Sequence, residues 1–327
     1  MNDFEELRIF QQIKAKFGLG SEFTSIYLNS LFDSSLWNTL DLENLNFSPL
    51  QRIWINFALS TNQRGETFYQ ELATYLHKNW KRYLDVGCGY GGFMVAFHQH
   101  GYSVAGIDLN PDLVRLSQAN LNDFGIQGTV MVGDILQEGI IEKTEGFDVI
   151  TCYDVIEHVD DVPKCLGVLV DLLKPGGLIG LKIPNKDCLK FVASDGHYNL
   201  FGITLMDHIQ AEKYYQALFS GPYGVGEYYL LDTYTRELER CGCTCQAIPR
   251  KNNLALLRGT GYFLKLMKDY LFFKRNLQKK LPPEIAAEIS AKFWLYLQNF
   301  VRAKFNPKVL YQRYISDTWT VLATKNN

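Results

Sequence analysis

A chain of 327 residues, 47% apolar and 21% charged, buries a sizeable core in one to three domains and is not a disordered or fibrous protein. No apolar run reaches membrane-span length, the opening Met1–Glu6 is acidic where a signal peptide is basic, and seven cysteines make no even disulfide framework, so a reducing, cytoplasmic setting is expected. The net charge of −2 hides an asymmetry: between Arg250 and Arg313, 14 Lys or Arg face only Asp269, Glu284 and Glu288, which points to an anionic partner for that segment.

Residues 1–80 read as a helical extension. Leu7, Phe10, Ile13 and Phe17 recur at helical spacing, Pro49 opens a second amphipathic stretch to Leu59, and Gly65–Asn79 makes a third. From 81 to 185 strands alternate with helices, the pattern of a parallel sheet covered on both faces. Strands are expected at Arg82–Val86, Ser103–Ile107, Thr129–Val132, Phe147–Cys152 and Leu178–Ile183, with helices at Phe93–His100, Pro111–Phe124 and Val162–Leu173. Residues 186–230 break this rhythm with aromatics, glycines, His197 and His208, and are read as a lid insertion. The core resumes over 231–250 with a helix at Thr233–Arg240 and a strand at Cys243–Pro249. A basic, aromatic helical insertion fills 251–314, and 315–327 holds the last strand, Asp317–Thr324, which the short Arg313–Trp319 link suits to an antiparallel place at the sheet edge. Cys241, Cys243 and Cys245 alternate along a strand, share one face and read as structural thiols rather than a zinc site.

The densest chemical signal runs from Tyr83 to Phe93, an apolar strand entering a glycine turn with a helix directly behind it. Such a turn lets a ligand lie against bare peptide at a helix N-terminus. Gly87, Gly89 and Gly92 spell G-x-G-x-x-G with Asp108 about 20 residues on, the fingerprint of a dinucleotide site, and an NAD-type dehydrogenase is one reading. Gly87, Gly89 and Gly91 also spell G-x-G-x-G, with Asp85 two residues ahead; that carboxylate favours a cationic ligand because it would repel a pyrophosphate.

From Asp85 to Asn185 the sequence resembles the nucleotide-binding core of class I S-adenosylmethionine (SAM)-dependent methyltransferases. The resemblance implies an α/β, Rossmann-like fold: a seven-stranded, mostly parallel sheet with helices on both faces, here with a helical N-terminal extension and helical insertions. It implies SAM as cofactor and S-adenosylhomocysteine as product. Asp85, Gly87, Cys88, Gly89 and Gly91 match the motif that approaches the methionine moiety and holds its ammonium. Asp108, with Leu109 in the same cofactor set, matches the acid that takes the ribose hydroxyls; Asp134 and Ile135 match the adenine-reading position; Tyr153 would line the methionine arm.

Just past the fourth strand, Asp154-Val155-Ile156-Glu157-His158 resembles the D/E-x-x-E-H element of ubiquinone-biosynthesis O-methyltransferases. It also resembles the E-x-x-E-H of small-RNA 2′-O-methyltransferases, which binds a divalent ion with a further His. Three roles stay open here. His158 is a general base or substrate contact, with Glu157 and His197 completing the catalytic set; or Asp154, Glu157 and His158 ligate a metal with His197 or His208; or the run packs and caps. No metal ligand set is assigned, and a divalent ion is the disfavoured alternative. Asp195, two residues before His197, would orient that imidazole, or belongs to a plain turn.

In the basic insertion Tyr262, Phe263, Leu266, Tyr270, Leu271 and Phe273 make an apolar face, with Lys265, Lys268, Lys274 and Arg275 largely elsewhere. It reads as a cap with a solvated basic face, or as a dock for a phosphorylated or carrier-bound substrate, RNA or an anionic membrane. The expected reaction is O-methylation of a small or carrier-linked, anionic metabolite. A metal-dependent methyltransferase acting on RNA or another anionic macromolecule is the alternative, although no RNA-binding module is recognisable. A methyltransferase-like protein without turnover is a third.

Overall fold

The computed structural model describes residues 6–141, 146–248 and 260–327; Pro249 of the expected strand, the start of the basic insertion and the side chain of Tyr262 lie outside the described residues. Seven strands, β1 (Arg82–Val86), β2 (Ser103–Asp108), β3 (Thr129–Val132), β4 (Phe147–Tyr153), β5 (Leu173–Pro184), β6 (Cys243–Ile248) and β7 (Thr318–Lys325), form one sheet in the order β3-β2-β1-β4-β5-β7-β6. β1 runs parallel to β2 and β4, β2 parallel to β3, and β6 antiparallel to β7. This is the Rossmann-like, mostly parallel sheet expected.

Two details differ. β7 lies between β5 and β6, so β6 rather than the terminal strand forms the edge. Burial gives the reason: Trp319–Ala323 are all buried, while β6 alternates between buried and open positions as an edge strand does. β5 also begins earlier than expected, at Leu173, absorbing the Pro175–Gly177 turn with Gly176 at φ +72°.

The chain divides into two compact units, residues 1–152 with 171–180 and 327, and residues 153–170 with 181–326. In the first, helices α1 (Arg8–Phe17), α2 (Ser21–Asn29), α3 (Pro49–Leu59) and α4 (Thr61–Leu72) precede the sheet, and α5 (Gly92–Gln99) and α6 (Pro111–Asp123) link its strands. α3 opens on a capping box in which Ser48 and Gln51 bond each other's backbone N–H. Ile9, Phe10, Ile13, Phe17 and Phe23 of the extension pack into one core with Leu116 and Ala119 of α6. Asp123 clamps the start of α2 by accepting the N–H groups of Glu22 and Phe23 at 2.9 and 2.8 Å, a carboxylate on a helix N-terminus.

The expected third helix starts earlier, at Thr61, because α4 lies directly against α5 through glycine. A Cβ on Gly65 would stand 2.2 Å from the Gly92 carbonyl oxygen, and one on Gly92 would stand 2.3 Å from the Thr61 carbonyl. This contact seats the helix that follows the glycine turn. Gly65→Ala is therefore expected to destabilise the fold by about 1–3 kcal/mol through overpacking, read as a lower melting temperature. An unchanged melting temperature would mean that α4 is free to shift.

α7 (Val162–Leu172) leads into β5. The second unit carries α8 (Leu189–Ala193), α9 (His208–Gln216), α10 (Leu231–Arg240), α11 (Thr260–Phe272) and α12 (Pro283–Ala303). Its core is aromatic: Phe201, Tyr214 and Tyr228 from the first segment read as an insertion meet Tyr270, Phe273 and Phe293 from the second. Phe201 lies 5.1 Å from Phe293 and Tyr270 lies 4.3 Å from Phe293, ring to ring. Segments about 70 residues apart thus complete one another's core, as neither buries its aromatics alone.

Candidate functional site

In the first unit the chain leaves β1 into the turn, where the N–H groups of Gly87 and Cys88 both donate to the Ile107 carbonyl at 2.8 and 3.1 Å. Gly87, Gly89 and Gly91 sit at φ +70°, +50° and +79°, while Gly92 is the first residue of α5. The three left-handed glycines are thus those of the G-x-G-x-G spacing. A Cβ at Gly89 would meet only the Gly87 carbonyl, at 3.9 Å, so that side of the turn is open to a ligand.

Asp85 lies just below, 2% exposed. The Thr151 hydroxyl donates to its Oδ1 at 2.8 Å, and Tyr83 in turn bonds Thr151. Burial, reinforced by the nearby charge of Asp108, pushes the Asp85 carboxyl up to about 7 against the pull of these hydrogen bonds. Thr151 went unnoticed in the sequence; its signal is the register, since it is the β4 partner of Asp85.

Asp108 accepts the Gly89 N–H at 2.9 Å and the Asn110 N–H at 2.9 Å, and its carbonyl takes the Gly133 N–H at 3.0 Å. The glycine turn and the end of β3 are both tied to it. Leu109 beside it is 68% exposed. Asp134 is exposed and accepts the Leu136 N–H at 2.8 Å, with Ile135 buried beside it. Asp85, Asp108 and Asp134 all belong to the carboxyl ends of parallel strands, where open α/β sheets bind ligands. Bare peptide flanked by two acids suits a cationic ligand better than a pyrophosphate.

The second unit holds the other group of expected residues. Tyr153 has the Lys182 Nζ 5.0 Å from its ring centre. Asp154 takes φ +52°, a strained value for a residue with a Cβ, and donates its N–H to the Lys182 carbonyl at 3.0 Å. Glu157 is buried, its carbonyl accepts the Gly226 N–H at 2.6 Å, and its carboxyl is held well above the usual range by burial and then by the charge of Asp154. Glu157 Oε2 has no hydrogen-bond partner among the described residues.

His158 is exposed, with Nδ1 2.6 Å from the Gly224 carbonyl. A carbonyl only accepts, so Nδ1 carries a proton, and in the neutral ring the lone pair is on Nε2. The His197 ring stands 5.1 Å away at 84°, its Nδ1 3.2 Å from the Tyr228 hydroxyl. Burial, and then the neighbouring His158, lower His197 to about 4. Asp195 does not orient that imidazole: its Oδ2 is 3.9 Å from Nδ1, and its oxygens accept the backbone N–H groups of His197, Tyr198 and Leu200. One donor atom each from Glu157, His158 and His197 lie within 4.8 Å of one another. Asp154 and His208 are not in this cluster; the His208 N–H goes to Glu227 at 2.8 Å. Gly224 and Tyr228, which hold the two imidazoles, were not among the expected site residues.

A family model described as a methyltransferase domain matches residues 60–248, more than half of the chain. The ubiquinone biosynthesis O-methyltransferase of Xanthomonas euvesicatoria pv. vesicatoria (strain 85-10) is 33% identical over 115 residues, 35% of this chain and 48% of that protein. The enzyme of the same name from Xylella fastidiosa (strain 9a5c) is 32% identical over 111 residues, 34% of this chain and 45% of that protein. The chain thus spans about half the length of the curated relatives it matches. A SAM-dependent methyltransferase structure from Archaeoglobus fulgidus aligns with a TM-score of 0.49 and 13% identity, covering 84% of this chain and 99% of that one. The matched region takes in the glycine turn, the three strand-end acids and the run from Asp154 to His158, and the chain belongs to the class I SAM-dependent methyltransferases.

Proposed function

We propose that this enzyme methylates an oxygen of a small or carrier-linked acceptor, with His158 as the general base. The observation that carries the reading is the hydrogen bond of the exposed His158, whose Nδ1–H is committed to Gly224 and leaves Nε2 as the atom that can take a proton. The relatives named above are O-methyltransferases by name, which supports oxygen as the acceptor atom.

In this reading Asp85 and the Gly87–Gly91 turn with Cys88 hold the methionine end, Asp108 the ribose, and Leu109, Asp134 and Ile135 the adenine. SAM supplies a methyl already activated on a sulfonium, so the protein chiefly positions the acceptor and moves its proton. The acceptor oxygen would take the methyl as sulfur keeps the C–S electron pair, and the acceptor proton would pass to His158 Nε2. His197, neutral near pH 7, adds no positive charge to oppose that protonation. The reading is tested by S-adenosylhomocysteine release with a cell metabolite extract as the source of acceptor; its absence in every fraction would overturn the proposal.

A second reading is favoured by one observation, the convergence of Glu157, His158 and His197 with an unpartnered Glu157 Oε2. These three residues would hold a divalent cation, and the Gly224 carbonyl on the far nitrogen of His158 is the support a ligating imidazole ordinarily has. A cation there would acidify an acceptor hydroxyl. Dialysis against EDTA is expected to leave turnover intact. A loss restored by Mg²⁺ or Mn²⁺, together with loss of cation binding in His197→Ala, would transfer the role from base to metal.

A further inference from the structure

We infer that the α11–α12 helix pair docks this enzyme on an anionic membrane surface. The pair packs antiparallel: Phe263 of α11 stacks 6.0 Å from Phe300 of α12, and Tyr270 lies 4.3 Å from Phe293 and 5.7 Å from Trp294. With the inner faces so occupied, each helix still exposes a second apolar stripe. On α12 and the turn after it, Trp294, Val301 and Phe305 recur at i, i+7 and i+11 and are 50%, 50% and 89% exposed. On α11, Leu264, Leu271 and Phe272 recur at i, i+7 and i+8 and are 66%, 49% and 58% exposed.

The cations border these stripes. Lys268 shares the α11 stripe and Arg275 follows just past the helix end, Lys274 stands over the Tyr270 ring at 5.9 Å, and Lys304 stands over Phe263 and Phe300 at 5.7 and 5.4 Å. From 260 to 313 eleven Lys or Arg face three acids, of which Asp269 is already paired with Lys265 at 2.8 Å and Glu288 with Lys292 at 3.5 Å. Helices with aromatic and aliphatic residues on one side and lysine and arginine beside them lie in a bilayer interface rather than across it. Among the described residues no helix is long and apolar enough to cross.

Charge decides between occupants. A symmetric pairing of two copies through this face would set the same basic surface against itself. A nucleic acid would satisfy the cations yet leave Leu264, Val301 and Phe305 in water. An anionic bilayer satisfies both, since its headgroups attract lysine and arginine and its acyl boundary takes the apolar stripes.

The test is co-sedimentation of the full chain with phosphatidylcholine vesicles, with and without phosphatidylglycerol. Binding is expected only with phosphatidylglycerol, falling as salt rises. Each interfacial cation contributes about fivefold to partitioning, so Lys268→Glu with Arg275→Glu and Lys304→Glu should lower it far more than tenfold. Val301→Ser with Phe305→Ser should also weaken it, and thermal melts and SAM binding of both variants should match the parent. In the unaltered protein, brominated acyl chains should quench tryptophan fluorescence, a readout independent of variant folding, and Trp294→Phe should remove the quenched component. Absence of vesicle binding, equal binding to neutral vesicles, unaffected variants, or a dimer that the serine variant dissociates would each overturn the inference. So would tighter binding of single-stranded RNA than of vesicles at the same salt.

Discussion

His158→Ala is expected to lower kcat by about 10²–10⁴-fold while SAM affinity stays unchanged. The size follows from removing the only proposed proton acceptor. The selectivity follows from location, because every polar contact described for His158 is to residues of its own unit and none is to the glycine turn. Alanine also removes the bond to Gly224, and with it one tether of the 224–226 loop. His158→Asn separates the two effects. Its amide still donates to the Gly224 carbonyl but offers no basic nitrogen, so it should keep the melting temperature and still lose turnover. Isothermal titration with S-adenosylhomocysteine, kcat and melting temperature form the decisive set. A parallel fall in cofactor affinity and turnover would assign His158 a structural role.

Asp85→Asn should weaken SAM binding by about tenfold to a hundredfold, the contribution of a buried charge-assisted hydrogen bond, and yet stabilise the cofactor-free protein above neutral pH. The sign follows from the raised carboxyl. Folded Asp85 titrates near 7, against 3.8 as its ordinary value, so between these values the folded state holds a proton that the unfolded state has lost. Its contribution to stability is fully present below about pH 4 and is lost as pH rises through 7, a cost of order 4 kcal/mol that asparagine removes. Thr151 can go on donating to the amide oxygen. Binding of the cofactor's ammonium requires the ionised carboxylate, so affinity in the unaltered protein should rise with pH through about 7 with release of a proton. Calorimetry at pH 6 and pH 8, in two buffers of different ionisation enthalpy, counts that proton. An affinity indifferent to both pH and the substitution would remove Asp85 from the cofactor site.

The two groups of candidate residues differed in how far they could be read from sequence. Asp85, Gly87, Gly89, Gly91 and Asp108 stand out because a strand, a run of left-handed glycines and a strand-end acid are properties of neighbouring residues, and the alternation of strands and helices likewise reports local periodicity. Even there, Asp85 favoured the G-x-G-x-G spacing over G-x-G-x-x-G, while only the backbone showed Gly91 at φ +79° and Gly92 packed against α4.

For the cluster around Glu157, the run of consecutive residues marked one side only. Whether His197 or His208 joined it, and whether Asp195 served a ring or a loop, depended on how a chain returning 66 residues later placed Gly224 against His158. The same holds for the two segments read as separate insertions, whose aromatics close a single core, and for β7, slotted inside β6. Periodicity and residue type determined the strands, the turn and the acids at the strand ends. Only tertiary packing decided which distant side chains converge, because such contacts are set by burial of apolar surface between remote segments, and no local pattern encodes that choice of partner.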